Sequence, residues 1–293
     1  MGENTVKKKN KNRTQGQEIW FRLRKNVGAM AGLVVVILLV LTAVFADVLF
    51  DYDTDVIGYE ISERKQAPSA EHLFGTDDMG RDLFARVLYG TRYSLSIGAA
   101  AVLIGILLGV PYGAACGYFG GKVDLYLMRF IDIIRAVPGL LMGIVIVSAL
   151  GQSTFNLILA ISIGQIVSIA NITRASVLTV KNQEYVESAR NIGLSEGRII
   201  LKHIIPNCLS PILVQVTLGV ASAIVSASSL SFLGLGIPVP EPEWGALLSA
   251  GRGFIRQYSY MTLFPGLAIM ITVLSLNLLG DGLRDALDPK LRK

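Results

Sequence analysis

EYVESARNIGLSEGRIILKHIIPN, running from Glu184 to Asn207, is a charged, helix-forming stretch set between strongly apolar segments. A loop of this kind between two membrane spans has an obvious use only if a soluble partner docks on it. Glu184 to Asn191 reads as a short amphipathic helix with Tyr185, Ala189 and Ile192 on one face. Gly193 suits the left-handed conformation that stops such a helix, and Ser195 suits the cap of a second one from Glu196 to about Ile205. Pro206 then ends that helix or restarts it at the membrane edge.

On either side the chain is that of a membrane protein, with 293 residues, 52% hydrophobic composition and a mean hydropathy of +0.54. No charge occurs from Asn26 to Ala46, from Tyr93 to Gly121, from Ala136 to Thr173, or between Arg256 and Asp281. A spanning helix needs about 20 apolar residues. The first two gaps each hold one span, and the third holds most of two, broken at Gly151-Gln152-Ser153-Thr154. A fifth fits between His203 and Glu241, and the last gap gives a sixth. The expectation is an all-α, polytopic fold with six transmembrane helices.

Loop charge sets the orientation. The N-terminal tail carries Lys7, Lys8, Lys9, Lys11, Arg13, Arg22, Arg24 and Lys25, whereas the loop after the first span is rich in Asp47, Asp51, Asp53, Asp55, Glu60, Glu63 and Glu71. Both termini are therefore expected in the cytosol of a cell-membrane protein, on the same side as the 182–207 loop. The net charge of +5 is concentrated in that tail, beside a membrane, so anionic lipid is its expected partner and nucleic acid is not. The first span lacks a small-residue cleavage site and lies too far along the chain to read as a removed signal; it reads as an anchor. The chain divides into a basic tail (1–25), the anchor (26–46), an extracytoplasmic segment (47–91), a five-helix core (92–285) and a short tail (286–293).

Within the second span Ala101, Gly105, Gly109, Gly113, Gly117 and Gly121 recur every fourth residue, which lets a neighbouring backbone approach closely. Gly28 and Gly32 form a lone, weaker instance in the first span. The third span opens with Arg129, Asp132 and Arg135 at helical spacing, Asp132 being placed to pair with either arginine, and Pro138 is positioned to kink it.

The Glu184–Asn207 loop resembles the Glu-Ala-Ala loop of ABC-importer permeases: Glu187, Ala189, Gly193 and Pro206 fall in register, with Ser188 in place of an alanine and Ile205 in place of a leucine. HLFGTDDMGRDLFARVLYGTRYSL from His72 is similar to the segment preceding the core in peptide and nickel importer permeases, with Leu73 where proline and Ala85 where serine are common. SSLSFLGLGIPVPEPEWGALLSAGR from Ser228 and FPGLAIMITVLSLNLLGDGLRDALDPKLRK from Phe264 match the same family, so the resemblance covers nearly everything after about residue 70. It implies a type I importer permease fold and a coupling helix, with Glu187, Ser188, Ala189, Ile192 and Gly193 at the contact with an ATPase subunit. It further implies a second, homologous permease and an extracytoplasmic binding protein as partners. The implied cargo is a dipeptide or oligopeptide, with nickel, metal-chelate or glutathione-like cargo open. In that family the IPVPEPEW region helps close the outer gate.

Other motifs point to no chemistry in this chain. Gly121-Lys122 misses a phosphate-binding loop because Cys116 and Val123 occupy the flanking positions, so ATP must be hydrolysed by a partner and no cofactor is expected. Asp51, Asp53 and Asp55 imitate a calcium loop, but Val56 and Ser62 stand where glycine and glutamate are required. His72 and His203 lack companion ligands, and Cys116 and Cys208 read as packing residues. Ser226, Ser228, Ser229 and Ser231 suit either interhelical hydrogen bonds or a polar path. Trp244 is expected at the outer interface. Asn277, Asp281, Arg284, Asp285 and Asp288 are expected to fix the last helix end against the docking loop, with Arg284 paired to Asp281 or Asp288. A gradient-driven transporter would want an ionisable residue deep in a span or an inverted repeat, and neither is found. An intramembrane enzyme would need a catalytic set that is also missing.

Overall fold

A computed structural model describes residues 15–287. Among them the elements are helical, and the one β-type pairing is an isolated bridge between Thr76 and Asp82. In chain order the α-helices are α1 (Gln15–Lys25), α2 (Val27–Val44), α3 (Ala46–Leu49), α4 (Leu83–Phe119), α5 (Gly121–Ala136) and α6 (Gly139–Leu150). They continue as α7 (Thr154–Val180), α8 (Glu184–Asn191), α9 (Glu196–Ile199), α10 (Leu209–Phe232), α11 (Trp244–Gly251) and α12 (Tyr260–Leu287). Five helical segments are long and apolar enough to cross a membrane, and α5 with α6 make a sixth, bent by 84° at Val137-Pro138. The kink expected at Pro138 is a full break, because proline removes a backbone donor and disfavours helix in the residue before it.

Polar side chains set where the spans begin. Asn26, Asp82 and Ser153 accept from the backbone N–H groups of Ala29, Ala85 and Asn156 and so start α2, α4 and α7. The small-residue stripe of α4 lies against α7. A side chain at Gly113 would sit 2.2 Å from the Ala170 carbonyl oxygen, and one at Gly117 2.8 Å from Val177 Cβ. Such contact supplies the dispersion that drives helix association in lipid, where apolar burial alone does not. The stripe ends before Gly121, which faces open space. Gly32 of the weaker α2 pair also matters, since its α-carbon lies against the Ser275 carbonyl of α12.

The chain reverses at two ends of this bundle. The 181–208 loop and the C-terminus of α4 mark one, the loop end. α1 lies there too, with Leu23 packed on Gly282 and Ala286 at the end of α12. Residues 47–82 cover the opposite, far end, where the Tyr260 hydroxyl donates to the Thr76 carbonyl and the Phe74 ring stacks on Phe264 at 3.9 Å.

Three expectations are corrected here. Trp244 is fully buried rather than interfacial; its indole Nε1–H donates to the Val87 carbonyl at 2.9 Å, and Pro242 crosses directly over Gly90. Asp132 pairs with neither Arg129 nor Arg135 and points outward; the ion pair that ties this region together is Asp124 with Arg174 of α7, bidentate at 2.5 and 2.6 Å. The end of α12 packs on α1 instead of the 181–208 loop, and Asp281 makes no ion pair with Arg284. Asp288 and the residues before 15 lie outside the described residues.

Candidate functional site

α8 is a two-turn helix whose two faces do different things. Val186 and Ala189 point inward, where they join Ala114 and Tyr118 of α4, Val177 of α7, Ile199, Ile204, Cys208 and Ile212 in one apolar cluster. Fully burying a valine or isoleucine here contributes about 1.5–3 kcal/mol, enough to hold so short a helix in place. Tyr185 and Ile192 do not share the inward face with Ala189: they are 41% and 77% exposed. α8 ends at Asn191, so Ile192 lies outside the helical periodicity that would have aligned it. The exposed surface includes Tyr185, Glu187, Ser188, Ile192, Gly193 and Leu201, with Glu184, Arg190, Glu196, Arg198 and Lys202 exposed around them, so it is a mixed apolar and charged face.

Gly193 has φ +79° and terminates α8 in a Schellman turn. Leu194 N–H donates to the Ala189 carbonyl at 3.2 Å and Gly193 N–H to the Arg190 carbonyl at 3.0 Å. Leu194 and Ala189 meet in the same apolar cluster, completing the motif. Ser195 occupies the cap position of α9, but its side chain makes no capping bond. The helix expected to run to Ile205 instead changes pitch, with a π turn at Ile200–Ile204 and a 3-10 turn at Ile205–Cys208 before α10 begins. Pro206 sits in the first turn of that 3-10 segment, so the helix restarts there.

Four polar side chains invisible to a local reading bind the loop to the bundle. The Tyr118 hydroxyl of α4 donates to the Glu196 carboxylate and accepts from Arg190 at 3.4 Å, with that guanidinium 5.8 Å from the Tyr118 ring centroid. Lys181 Nζ donates to the Gly117 carbonyl at 2.8 Å. These partners are 64 to 78 residues apart in sequence, which is why no spacing pattern revealed them.

Between α5, α6, α7 and α10 lies a half-open cavity of about 580 Å³. Its walls are apolar but carry Gln165, Ser168, Asn171, Gln215, Ser226 and Ser229, and Arg135 is the one charged group among the described lining residues. Gln165 donates to Ser222 and Gln215 to Ser168, fixing α7 against α10 at 3.1 and 3.0 Å. Of the four serines open to two readings, Ser226 and Ser229 line the cavity and bond back to their own helix. Ser228 instead donates across to Glu243, and Ser231 is buried.

At the far end, the segment after α10 is buried at Gly236-Ile237 and from Pro242 to Glu243, while Pro238, Val239 and Pro240 stay exposed. Glu243 is fully buried because its carboxylate accepts the N–H groups of Gly245 and Ala246 at 2.9 Å, capping α11. Arg86, also buried, donates to the Val56 carbonyl at 2.7 Å and the Pro240 carbonyl at 3.2 Å. Buried backbone without regular structure is tolerated when its polar groups are met this way. His72 accompanies this end in a structural role, paired to Asp82 at 2.8 Å and Glu63 at 3.4 Å. The hydrogen bond to Asp82, helped by the nearby carboxylates, raises its pKa above the usual histidine range.

Residues 101–293 match the model of the binding-protein-dependent transport system inner membrane component family. The chain belongs to that family. Residues 14–68 match a second model, the N-terminal transmembrane domain of oligopeptide transport permease C. The chain is 44% identical to the dipeptide transport system permease protein DppC of Alkalihalophilus pseudofirmus over 94% of its length and 90% of that protein's. It is 43% identical to the glutathione transport system permease protein GsiD of Escherichia coli, over 96% and 92%. The fold is that of solved importers. It superposes on the inward-facing MetNI methionine ABC transporter with a TM-score of 0.58 at 16% identity, covering 69% of this chain and 97% of that one. An amino acid ABC transporter solved with histidines gives 0.53 at 17%, covering 70% and 95%. This chain is thus a multi-span permease subunit of an ABC importer.

Proposed function

We propose that the chain forms one half of the membrane pore of an ATP-driven importer of short peptides. The observation that carries this reading is the locked α8 turn, which buries one face in the bundle and leaves Tyr185, Glu187, Ser188, Ile192 and Gly193 presented outward. Such a surface suits a groove on an ATPase subunit. Both termini and the 182–207 loop then face the cytosol, the 47–91 segment faces outward toward a binding protein, and a second related permease completes the pore. The dipeptide name of one relative and the glutathione name of another support peptide-like cargo. The cavity agrees with this: side-chain amides and hydroxyls pair with peptide groups without selecting particular side chains, and Gln165, Ser168, Asn171 and Gln215 are the groups we place on the path.

The test is gentle detergent purification of the tagged chain from its native membrane, with mass spectrometry of what accompanies it. Recovery of an ATPase, a related permease and a binding protein is expected. A chain recovered alone under conditions that preserve other membrane complexes would refute the assembly.

A further inference from the structure

We infer that Tyr118 is the positioning residue through which the docking loop moves α4, and through α4 the far-end segment 231–243. The inference rests on the proposed ATPase contact at α8 and concerns how displacement there reaches the opposite end of the bundle. α4 has 37 residues and is therefore about 56 Å long, reaching from one end to the other. At the loop end the Tyr118 side chain is buried and touches both limbs of the loop, Arg190 on α8 and Glu196 on α9, on either side of the Gly193 turn. Lys181, joining α7 to α8, holds the adjacent Gly117 carbonyl.

At the far end the first turns of α4 hold segment 231–243 and its continuation. Arg86 binds the Pro240 carbonyl, the Val87 carbonyl accepts the Trp244 indole, and Ser94 accepts the Trp244 backbone N–H at 3.2 Å. The covalent routes out of α8 are less direct. One passes through the turn at 181–183 and the other through the π and 3-10 turns at 200–208, where the helical hydrogen-bond pattern changes twice. The Tyr118 phenol bypasses both, joining the loop through packed, hydrogen-bonded side chains to the end of α4, which stays helical through Pro111.

Tyr118→Phe keeps the ring and its stacking on Arg190 while deleting the hydroxyl. Glu196→Ala removes the same hydrogen bond from the exposed partner. Both are tested in the full assembly of permeases, ATPases and binding protein in proteoliposomes, reading cargo imported per ATP hydrolysed. Hydrogen bonds to charged groups are worth enough to change a coupled equilibrium about tenfold, so a fall of at least about fivefold in that ratio is expected for each variant. ATP hydrolysis and complex recovery should be retained, and the double variant should be no worse than either single one. Unchanged coupling would overturn the inference. Parallel loss of hydrolysis and uptake would overturn it, since that marks failed ATPase docking, and poor recovery of both variants would assign the pair to folding instead. An unsubstituted assembly that fails to import with ATP would refute the importer reading itself.

Discussion

Replacing Gly193 isolates the backbone of the docking turn from its packing. The residue has φ +79°, and nothing lies within 4 Å of the position a Cβ would occupy. Any effect of a side chain there is therefore conformational and not a clash. A non-glycine L-residue in the left-handed region costs roughly 1–2 kcal/mol, which is a factor of about 5–30 in the population of the correctly turned loop. Asparagine tolerates this region best, alanine less well, and a β-branched residue worst. Uptake and ATPase co-purification should accordingly fall in the order Gly193→Asn, Gly193→Ala, Gly193→Val. The assay is ATP-dependent import by the reconstituted complex, with the ATPase recovered on the tagged chain quantified in parallel. If Gly193→Val imports and retains ATPase as well as the unsubstituted chain, the left-handed turn is not required and the reasoning fails.

Gly113→Ala places a methyl group 2.2 Å from the Ala170 carbonyl oxygen, so α4 and α7 must part by about 1.2 Å; a loss of about 1–3 kcal/mol in stability is expected by thermal unfolding in detergent. Gly164→Ala, where space is open, serves as the control and should not lower stability. Glu187→Lys should reduce ATPase recovery while the chain stays in the membrane at normal level; loss of the chain would show a folding role. Because the pKa of His72 is raised in the folded state, its contribution is complete below about pH 6.5 and is lost as pH rises through the folded value. Hydrogen exchange at residues 66–82, corrected for intrinsic rates, should therefore be faster at alkaline than at mildly acidic pH, and His72→Gln should abolish the difference.

The fold was legible where its determinants are periodic or local. Charge-free runs marked the spans, the glycine stripe marked a close helix contact without naming its partner, Pro138 marked the bend, and Gly193 marked the end of α8. What escaped was set by contacts distant in sequence. Trp244 looked interfacial because an amphipathic ring usually is; its burial is explained by contacts distant in sequence, among them the Val87 carbonyl 157 residues away. Asp124 was overlooked because its partner Arg174 lies on another helix, while Asp132 had arginines at helical spacing and pairs with neither. The site showed the same division. The positions of α8 and its turn could be read from local spacing, but which face is buried depended on Ala114, Val177 and Ile212 from three other helices. The Tyr118 link could not be read from local spacing at all.

The most direct test of the account is the energy source for import. Proteoliposomes containing the chain with its co-purified ATPase, second permease and binding protein should accumulate a labelled dipeptide only when hydrolysable ATP is supplied to the face bearing the 182–207 loop. A proton or sodium gradient without ATP should give nothing. Peptide uptake by the chain alone, driven by such a gradient and indifferent to ATP, would contradict it.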